Sequence, residues 1–257
     1  MKLLLANDDG VHASGIQVLY KELKDHFDTT IVAPLEERST TGHSLSLDRP
    51  LRIERLEKNI YGCSGFPADC TLMGLHLLRD QRPDVVVSGI NRGANLGQDL
   101  YYSGTVAAAR EGVFHKVPSI AVSLVFKSML DEPNYEAAAK IVKACIEAGI
   151  HRYIAPLSLL NINVPNLELN KIKGIKLTEI GFRNYSEDIH ERVDARGRSY
   201  YWIAGLYEGY SGSTESDSHA VENGFASITP HALIDGLSKD YTEIKKVIEL
   251  VNEKLFS

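Results

Sequence analysis

The sequence is short of cysteine, of long apolar runs and of basic charge. Its three cysteines, Cys63, Cys70 and Cys145, are odd in number and form no C-x-x-C pair. That argues against a disulfide framework and against a cysteine zinc site, and fits buried thiols in a reducing cytoplasm. No run of about 18 apolar residues occurs, so no membrane span and no membrane partner is expected. The opening stretch Met1–Ala6 is too short for a signal h-region and runs straight into Asn7-Asp8-Asp9-Gly10. Lysine and arginine total 28 against 34 aspartates and glutamates, a net charge of −6. An acid excess argues against a nucleic-acid duplex as partner, because such binding leans on basic patches. It leaves room for a small phosphorylated ligand, since a site can differ in sign from the whole molecule. The nine histidines include no H-E-x-x-H or other close pair.

What is present is an ordinary globular composition over 257 residues, 44% hydrophobic and 24% charged. Residues 3–6 are a continuous apolar run, the pattern of a strand buried on both faces. Ile16, Leu19, Tyr20, Leu23 and Phe27 then fall on one helical face, and Ile31-Val32-Ala33 before Pro34 reads as a second strand. Strand, helix, strand at this spacing is a βαβ unit, which favours a parallel sheet. Short strands are expected at 51–56 and 59–63 and a helix opened by Pro67 and stopped before Pro83. Further strands are expected at Val85-Val86-Val87, Ile120-Ala121-Val122 and Leu159–Val164, with helices over 104–115 and 134–148. Residues 88–104 read as a glycine-rich polar loop. The fold class is α/β, a Rossmann-like doubly wound, mostly parallel sheet.

The last third differs. Residues 183–198 are charged with few apolar positions and read as a solvated loop or an excursion from the core. Strand-like runs at 200–204 and 225–229 bracket a polar stretch, and a final amphipathic helix is expected over 240–255. The expectation is one domain, with a core over about 1–165. The extension over about 166–257 is expected to hold a β-hairpin and a terminal helix.

Three loops fall at the carboxyl ends of strands, where open α/β sheets bind ligands. Asp8 and Asp9 follow the first strand, and two adjacent carboxylates placed there call for a cation. A D-G turn in a hairpin would also use Asp9-Gly10, yet the pattern that follows is helical. After the second strand come Ser39, Thr40, Thr41, His43 and Ser44, which suit either a ligand loop or a surface loop. The third loop holds Asn91 and Asn95 among Gly89, Gly93 and Gly97, whose spacing does not spell a dinucleotide fingerprint. Ser103-Gly104-Thr105 then opens an alanine-rich helix, whose free N–H groups and dipole suit a phosphate; Ser103 as a plain N-cap is the alternative. Asp, Ser and Asn are hard oxygen donors and favour magnesium, manganese or calcium over zinc. His12 and His43 lie in these loops and could act in catalysis or belong to loop structure. Asp69 reads as a helix-start charge.

Five segments in order resemble the SurE (survival protein E) family of metal-dependent nucleotidases. They are Asn7-Asp8-Asp9-Gly10; Ala33-Pro34 with Glu37-Arg38-Ser39 and Gly42-His43-Ser44; Pro67-Ala68-Asp69-Cys70; Ser88–Gly93 with Asn95 and Gly97; and Tyr102–Val106. Ser227-Ile228-Thr229-Pro230 resembles it too. The resemblance implies hydrolysis of nucleoside 5′- and 3′-monophosphates. It implies one divalent cation per subunit, Mg2+ or Mn2+, on Asp8, Asp9, Ser39 and Asn91. It also implies a homodimer or homotetramer in which C-terminal segments reach across to a neighbour. Two positions depart from the pattern: Phe66 stands where a small polar residue is expected, and His231 where an apolar one is.

On this reading Asp8 and Asp9 are the catalytic pair, with Asp9 orienting or deprotonating a water. Asn95, Ser103, Gly104 and Thr105 bind the phosphate. The competing readings are a nucleotide-binding sensor on the same fold and a zinc-dependent deacetylase with paired aspartates. The deacetylase wants a histidine beside the pair, where Ala6-Asn7 stands. An aspartyl-phosphate phosphatase wants its two aspartates one residue apart.

Overall fold

The computed structural model describes residues 1–128 and 130–233. In chain order the main elements are β1 (Lys2–Ala6), α1 (Ser14–Leu23), β2 (Asp28–Pro34), β3 (Ile53–Glu57), β4 (Ile60–Cys63) and α2 (Pro67–Leu77). They continue with β5 (Val85–Arg92), α3 (Gly104–Phe114), β6 (Ser119–Val125), α4 (Tyr135–Glu147) and β7 (Ser158–Pro165). After these come β8 (Ile175–Leu177), β9 (Phe182–Tyr185), β10 (Ile189–Val193), β11 (Ser199–Ile203), β12 (Tyr207–Ser211), α5 (Asp217–Glu222) and β13 (Ala226–Ala232).

Nine strands form one sheet in the order β3-β4-β2-β1-β5-β6-β7-β13-β8. The inner strands from β4 to β7 are parallel, and β3 and β13 run antiparallel to β4 and β7. The apolar runs explain the centre. Leu3, Leu4 and Leu5 are all fully buried, because a strand covered on both faces has no solvent side. Leu3 and Leu5 share a core with Ile16, Leu19 and Leu23 of α1 and Ala138 and Val142 of α4. Leu4, between them, turns to the other face and packs with Val32, Val86 and Cys70 of α2. Each such leucine contributes about 1.5–3 kcal/mol of burial.

The expected strands and helices through residue 165 are present within a few residues. The 88–104 segment is more ordered than a loop: β5 continues to Arg92, and Gly97–Tyr101 forms a 3-10 turn. Of the two readings of residues 183–198, the excursion from the core holds and the solvated loop does not, and the β-hairpin expected in the extension is present. Phe182–Tyr185 pairs with Tyr207–Ser211, and Ile189–Val193 pairs with Ser199–Ile203 as a hairpin. Past residue 165 the chain also returns to the main sheet, where β13 lies between β7 and β8. The helix expected over 240–255 lies outside the described residues. Among the described residues no helix is long and apolar enough to cross a membrane.

The topology selects one crevice. The chain leaves β1 for β2 on one side and reaches β5 on the other, so the strand order reverses between β1 and β5. Ligands of doubly wound folds bind at the carboxyl ends of strands at such a point.

Candidate active site

Asp8 and Asp9 lie just past the end of β1. The turn is held by Asn7 Nδ2 donating to Gly10 O at 2.8 Å and by Val11 N donating to Pro34 O at 2.7 Å. Gly10 sits at φ +103°, which a side chain would strain, and the chain passes into α1 rather than into a hairpin.

Asp8 is buried, with 4% of its surface exposed. Thr105 donates its hydroxyl to Asp8 Oδ1. Gly104 packs against the same side chain: a Cβ there would stand 2.8 Å from Asp8 Cβ. Burial pushes the Asp8 carboxyl up, despite the Thr105 bond. Asp9 is pushed up to about 6, first by burial and then by the neighbouring Asp8 charge. It accepts from Arg92 N at 3.2 Å. Among the described residues neither carboxylate has an ion-pair partner.

Ser39 reaches the crevice on the loop after β2. Arg38 N donates to Asp8 O at 2.7 Å, which sets the two loops side by side. Gly42 N bonds Tyr102 O at 3.1 Å, and Ser46 N bonds Asp69 Oδ1 at 3.0 Å. Asp69 also accepts from Phe66 N at 2.9 Å, so it does more than charge the start of α2: it ties the Ser39 loop to that helix. Phe66, the unexpected residue, carries the Arg38 and Arg49 guanidinium groups at 5.8 and 5.6 Å from its ring. His43 is engaged with Glu111 of α3 at 2.9 Å and packs on Phe114, which makes it a loop anchor; His12 is exposed. His231, the other departure, is buried in β13 with its ring edge-on to Tyr101.

Asn91 ends β5. The register of β5 against β6 shifts between Ser88 and Asn91, beside Gly89, where a Cβ would meet Val122 O at 2.3 Å. Asn91 Nδ2 donates to Gly93 O at 2.9 Å, which commits the amide nitrogen and leaves Oδ1 as the donor for a cation. Ser39 Oγ likewise gives its proton to Glu37 Oε1 at 2.7 Å and keeps its lone pairs.

Asp8, Ser39, Asn91, Asn95 and Ser103 line one crevice of about 300 Å3, together with Tyr102 and Asp99. Thr105 and Gly104 touch it through Asp8, and Asp9 through Arg92. Ser103 is a true N-cap, its Oγ accepting from Val106 N at 3.1 Å. Asn95 is locked rather than free. Its Nδ2 donates to Ser123 Oγ, its N to Asn163 Oδ1, and its O accepts from Asn161 and Asn163. Sequence reasoning missed Asn161 and Asn163. Their signal was two amides on the same face of an otherwise apolar strand, since residues two apart share a face. Asp99, Glu37, Arg92 and Tyr102 were also missed.

The donor chemistry fits a hard cation. Two adjacent carboxylates, Asp8 buried and Asp9 half-buried, a serine hydroxyl and an amide oxygen supply oxygen only. Among the described residues no group of three or more His, Cys, Asp or Glu is placed to hold a metal ion.

Fold and crevice together define a doubly wound α/β protein with an oxygen-lined crevice at its switch point. The family model for Survival protein SurE matches residues 3–187, and the chain belongs to that family. It is 45% identical over 230 residues to the 5′-nucleotidase SurE of Pseudomonas aeruginosa (strain UCBPP-PA14), covering 90% of this chain and 91% of the relative. It is 43% identical over 235 residues to the 5′-nucleotidase SurE of Heliobacterium modesticaldum (strain ATCC 51547 / Ice1), covering 90% and 85%. The crystal structure of the SurE protein from Aquifex aeolicus superposes with a TM-score of 0.82 at 35% identity, covering 98% of this chain and 100% of that one.

Proposed function

We propose that the chain is a metal-dependent phosphatase that hydrolyses nucleoside 5′-monophosphates, and 3′-monophosphates as well, to nucleoside and phosphate. The observation that carries this reading is the convergence of Asp8, Ser39 and Asn91 from three loops on the switch-point crevice, with Asp9 next in sequence to Asp8 and bonded to Arg92 N, in a chain whose relatives are named 5′-nucleotidases. Those four residues would hold one divalent cation, Mg2+ or Mn2+. When bound, the cation supplies positive charge toward the phosphoryl oxygens and favours ionisation of water.

The chain's own groups do the rest. The first turn of α3, at Ser103, Gly104 and Thr105, turns N–H groups and the positive end of the helix dipole toward the phosphate. Asn95, held rigid by Asn161 and Asn163, presents a fixed polar group to the same place. Asp9, beside Asp8 at the end of β1, orients or deprotonates the water. The water oxygen bonds to phosphorus, the ester P–O bond breaks, and the nucleoside oxygen leaves with a proton.

A second copy of the chain is the proposed partner, as a dimer or tetramer. The β10–β11 hairpin stands apart from the main sheet with Ile189, Tyr201, Trp202 and Ile203 between 62% and 91% exposed. A lone hairpin is marginal in water, and such a surface suits a protein contact. A cytoplasmic setting is proposed on three buried, unpaired cysteines.

The test is phosphate release from a panel of nucleoside monophosphates with added manganese. Release that a chelator abolishes and that Asp8→Asn with Asp9→Asn removes supports the phosphatase. Tight nucleotide binding without release supports the sensor instead.

A further inference from the structure

The loop that carries Ser39 is fastened by a carboxylate that does not itself line the crevice. Ser39 and Thr40 do line it. Thr40 sits at φ +55° and Gly42 at φ +56°. A β-branched residue keeps that left-handed backbone only where its surroundings hold it. Inside the loop, Thr41 Oγ1 donates to Arg38 O at 2.9 Å and Ser44 Oγ to Thr41 O at 2.7 Å. Ser39 Oγ donates to Glu37 Oε1. Those bonds shape the loop without tying it to anything. Among the described residues, His43 is the one member of 39–44 whose side chain hydrogen-bonds another element.

The partner of His43 is Glu111 of α3, which is buried. Glu111 Oε2 lies 2.9 Å from His43 Nε2, and Oε1 lies 3.1 Å from His115 Nε2. Burial pushes the Glu111 carboxyl up, but the His43 bond and the two imidazoles outweigh it and hold it below the usual carboxylate range. An ionised carboxylate only accepts, so both imidazoles donate to it. Glu111 stands two turns along α3 from Ser103, roughly 12 Å at the rise of an α-helix. One helix therefore carries the proposed phosphate site at its first turn and the anchor of the Ser39 loop further down.

We infer that Glu111 is a positioning residue for the cation: acting through His43, it locks the Ser39 loop onto α3 and so sets the affinity of the site for its metal. The inference rests on the phosphatase reading above, in which Ser39 is a ligand. Glu111 itself touches neither cation nor substrate. His115 holds the other carboxylate oxygen and has no bond to the loop, so it lies off the path from Glu111 to Ser39.

The experiment measures Mn2+ binding to the full chain without substrate, by counting free Mn2+ with electron paramagnetic resonance. Phosphate release from adenosine 5′-monophosphate is then followed against manganese concentration. Glu111→Ala and His43→Ala are each expected to weaken manganese binding by at least about tenfold, as groups one step behind a metal ligand do. His43→Gln, which restores an N–H at the same reach, is expected to bind within about threefold of wild type, and so is His115→Ala. The double variant of His43→Ala with Glu111→Ala binds no more weakly than Glu111→Ala alone, because the two act as one unit. At saturating manganese, kcat returns close to the wild-type value, which a catalytic role or a damaged fold would not allow. His43→Ala carries the test if Glu111→Ala does not fold. Manganese binding that is unchanged in both alanine variants, losses that add in the double variant, or no rescue by His43→Gln overturns the inference and leaves the phosphatase reading standing. A wild-type chain whose manganese binding is indifferent to Asp8→Asn with Asp9→Asn overturns the metal site and the inference with it.

Discussion

Thr105 donates its hydroxyl hydrogen bond to Oδ1 of Asp8, joining the first turn of α3 to the carboxylate that follows β1. Both residues are buried. The bond fixes the Asp8 rotamer and offsets part of the cost of keeping that carboxyl charged out of water. Groups one step behind a metal ligand typically account for about 10–100-fold in affinity. Thr105→Val keeps the shape and removes the donor. We expect the manganese concentration for half-maximal activity to rise about tenfold or more in Thr105→Val and to stay near wild type in Thr105→Ser. Equal metal dependence in both variants would remove Thr105 from this role.

Gly15 of α1 touches the site from behind. A Cβ at Gly15 would lie 1.9 Å from Ile90 O, on the segment that delivers Asn91. In an open helix, alanine is favoured over glycine by about 1 kcal/mol. Here the obstacle is backbone, which cannot rotate away, and overpacking costs about 1–3 kcal/mol. Gly15→Ala is therefore expected to lower the urea midpoint and to reduce turnover, against the helix-propensity trend. A midpoint at or above wild type would show that α1 can shift without cost.

Much of this arrangement was legible in the residues alone. The strands β1, β2, β5, β6 and β7 are short apolar runs buried on both faces, and the helices between them carry one apolar stripe, so periodicity identified both. The loops carrying Asp8, Ser39 and Asn91 followed from strand ends. In the extension a β-hairpin was expected and the run at 200–204 matches β11, but β10 was not legible, because every residue of Ile189–Val193 is exposed and no buried face imposes an alternation. The Asn95 network was hidden for another reason. Its partners Asn161 and Asn163 lie 66 and 68 residues away, and only the neighbouring strands bring them together. The same holds for His43, whose partner Glu111 is 68 residues on.

The Asp8–Asp9 pair gives the stability a defined pH dependence. Asp9 is raised to about 6 in the folded chain, and Asp8 is raised as well. The folded state without metal therefore holds protons more tightly than the unfolded chain, whose carboxyls titrate near 3.9. Stability from this pair is present at low pH and is lost as pH rises through the interval up to about 6. A cation that binds the folded state reverses the penalty where both groups are ionised. The rise in Tm on adding magnesium or manganese is expected to be larger at pH 7.5 than at pH 5. An equal rise at both values would place the binding ion elsewhere.

Asn163 offers the sharpest separation of stability from activity. Its Oδ1 accepts from Asn95 N at 3.0 Å, and its Nδ2 donates to Asn95 O at 3.1 Å, with no part of Asn163 exposed. Asn163→Ala leaves the Asn95 N–H unpaired in a buried place, at a cost of about 1–3 kcal/mol. Asn161 still donates to Asn95 O at 2.7 Å, so the carbonyl side of the network survives and the fold is expected to persist. The segment between Asn91 and Asp99 then loses one of its two anchors on β7, and Asn95 loses its fixed position in the crevice. Urea unfolding is expected to show a modest drop in midpoint, while kcat falls by at least about tenfold, since groups that act in the transition state must be held rigidly. A variant that loses stability but keeps its kcat would mean that Asn95 supports the wall of the crevice without touching the reaction.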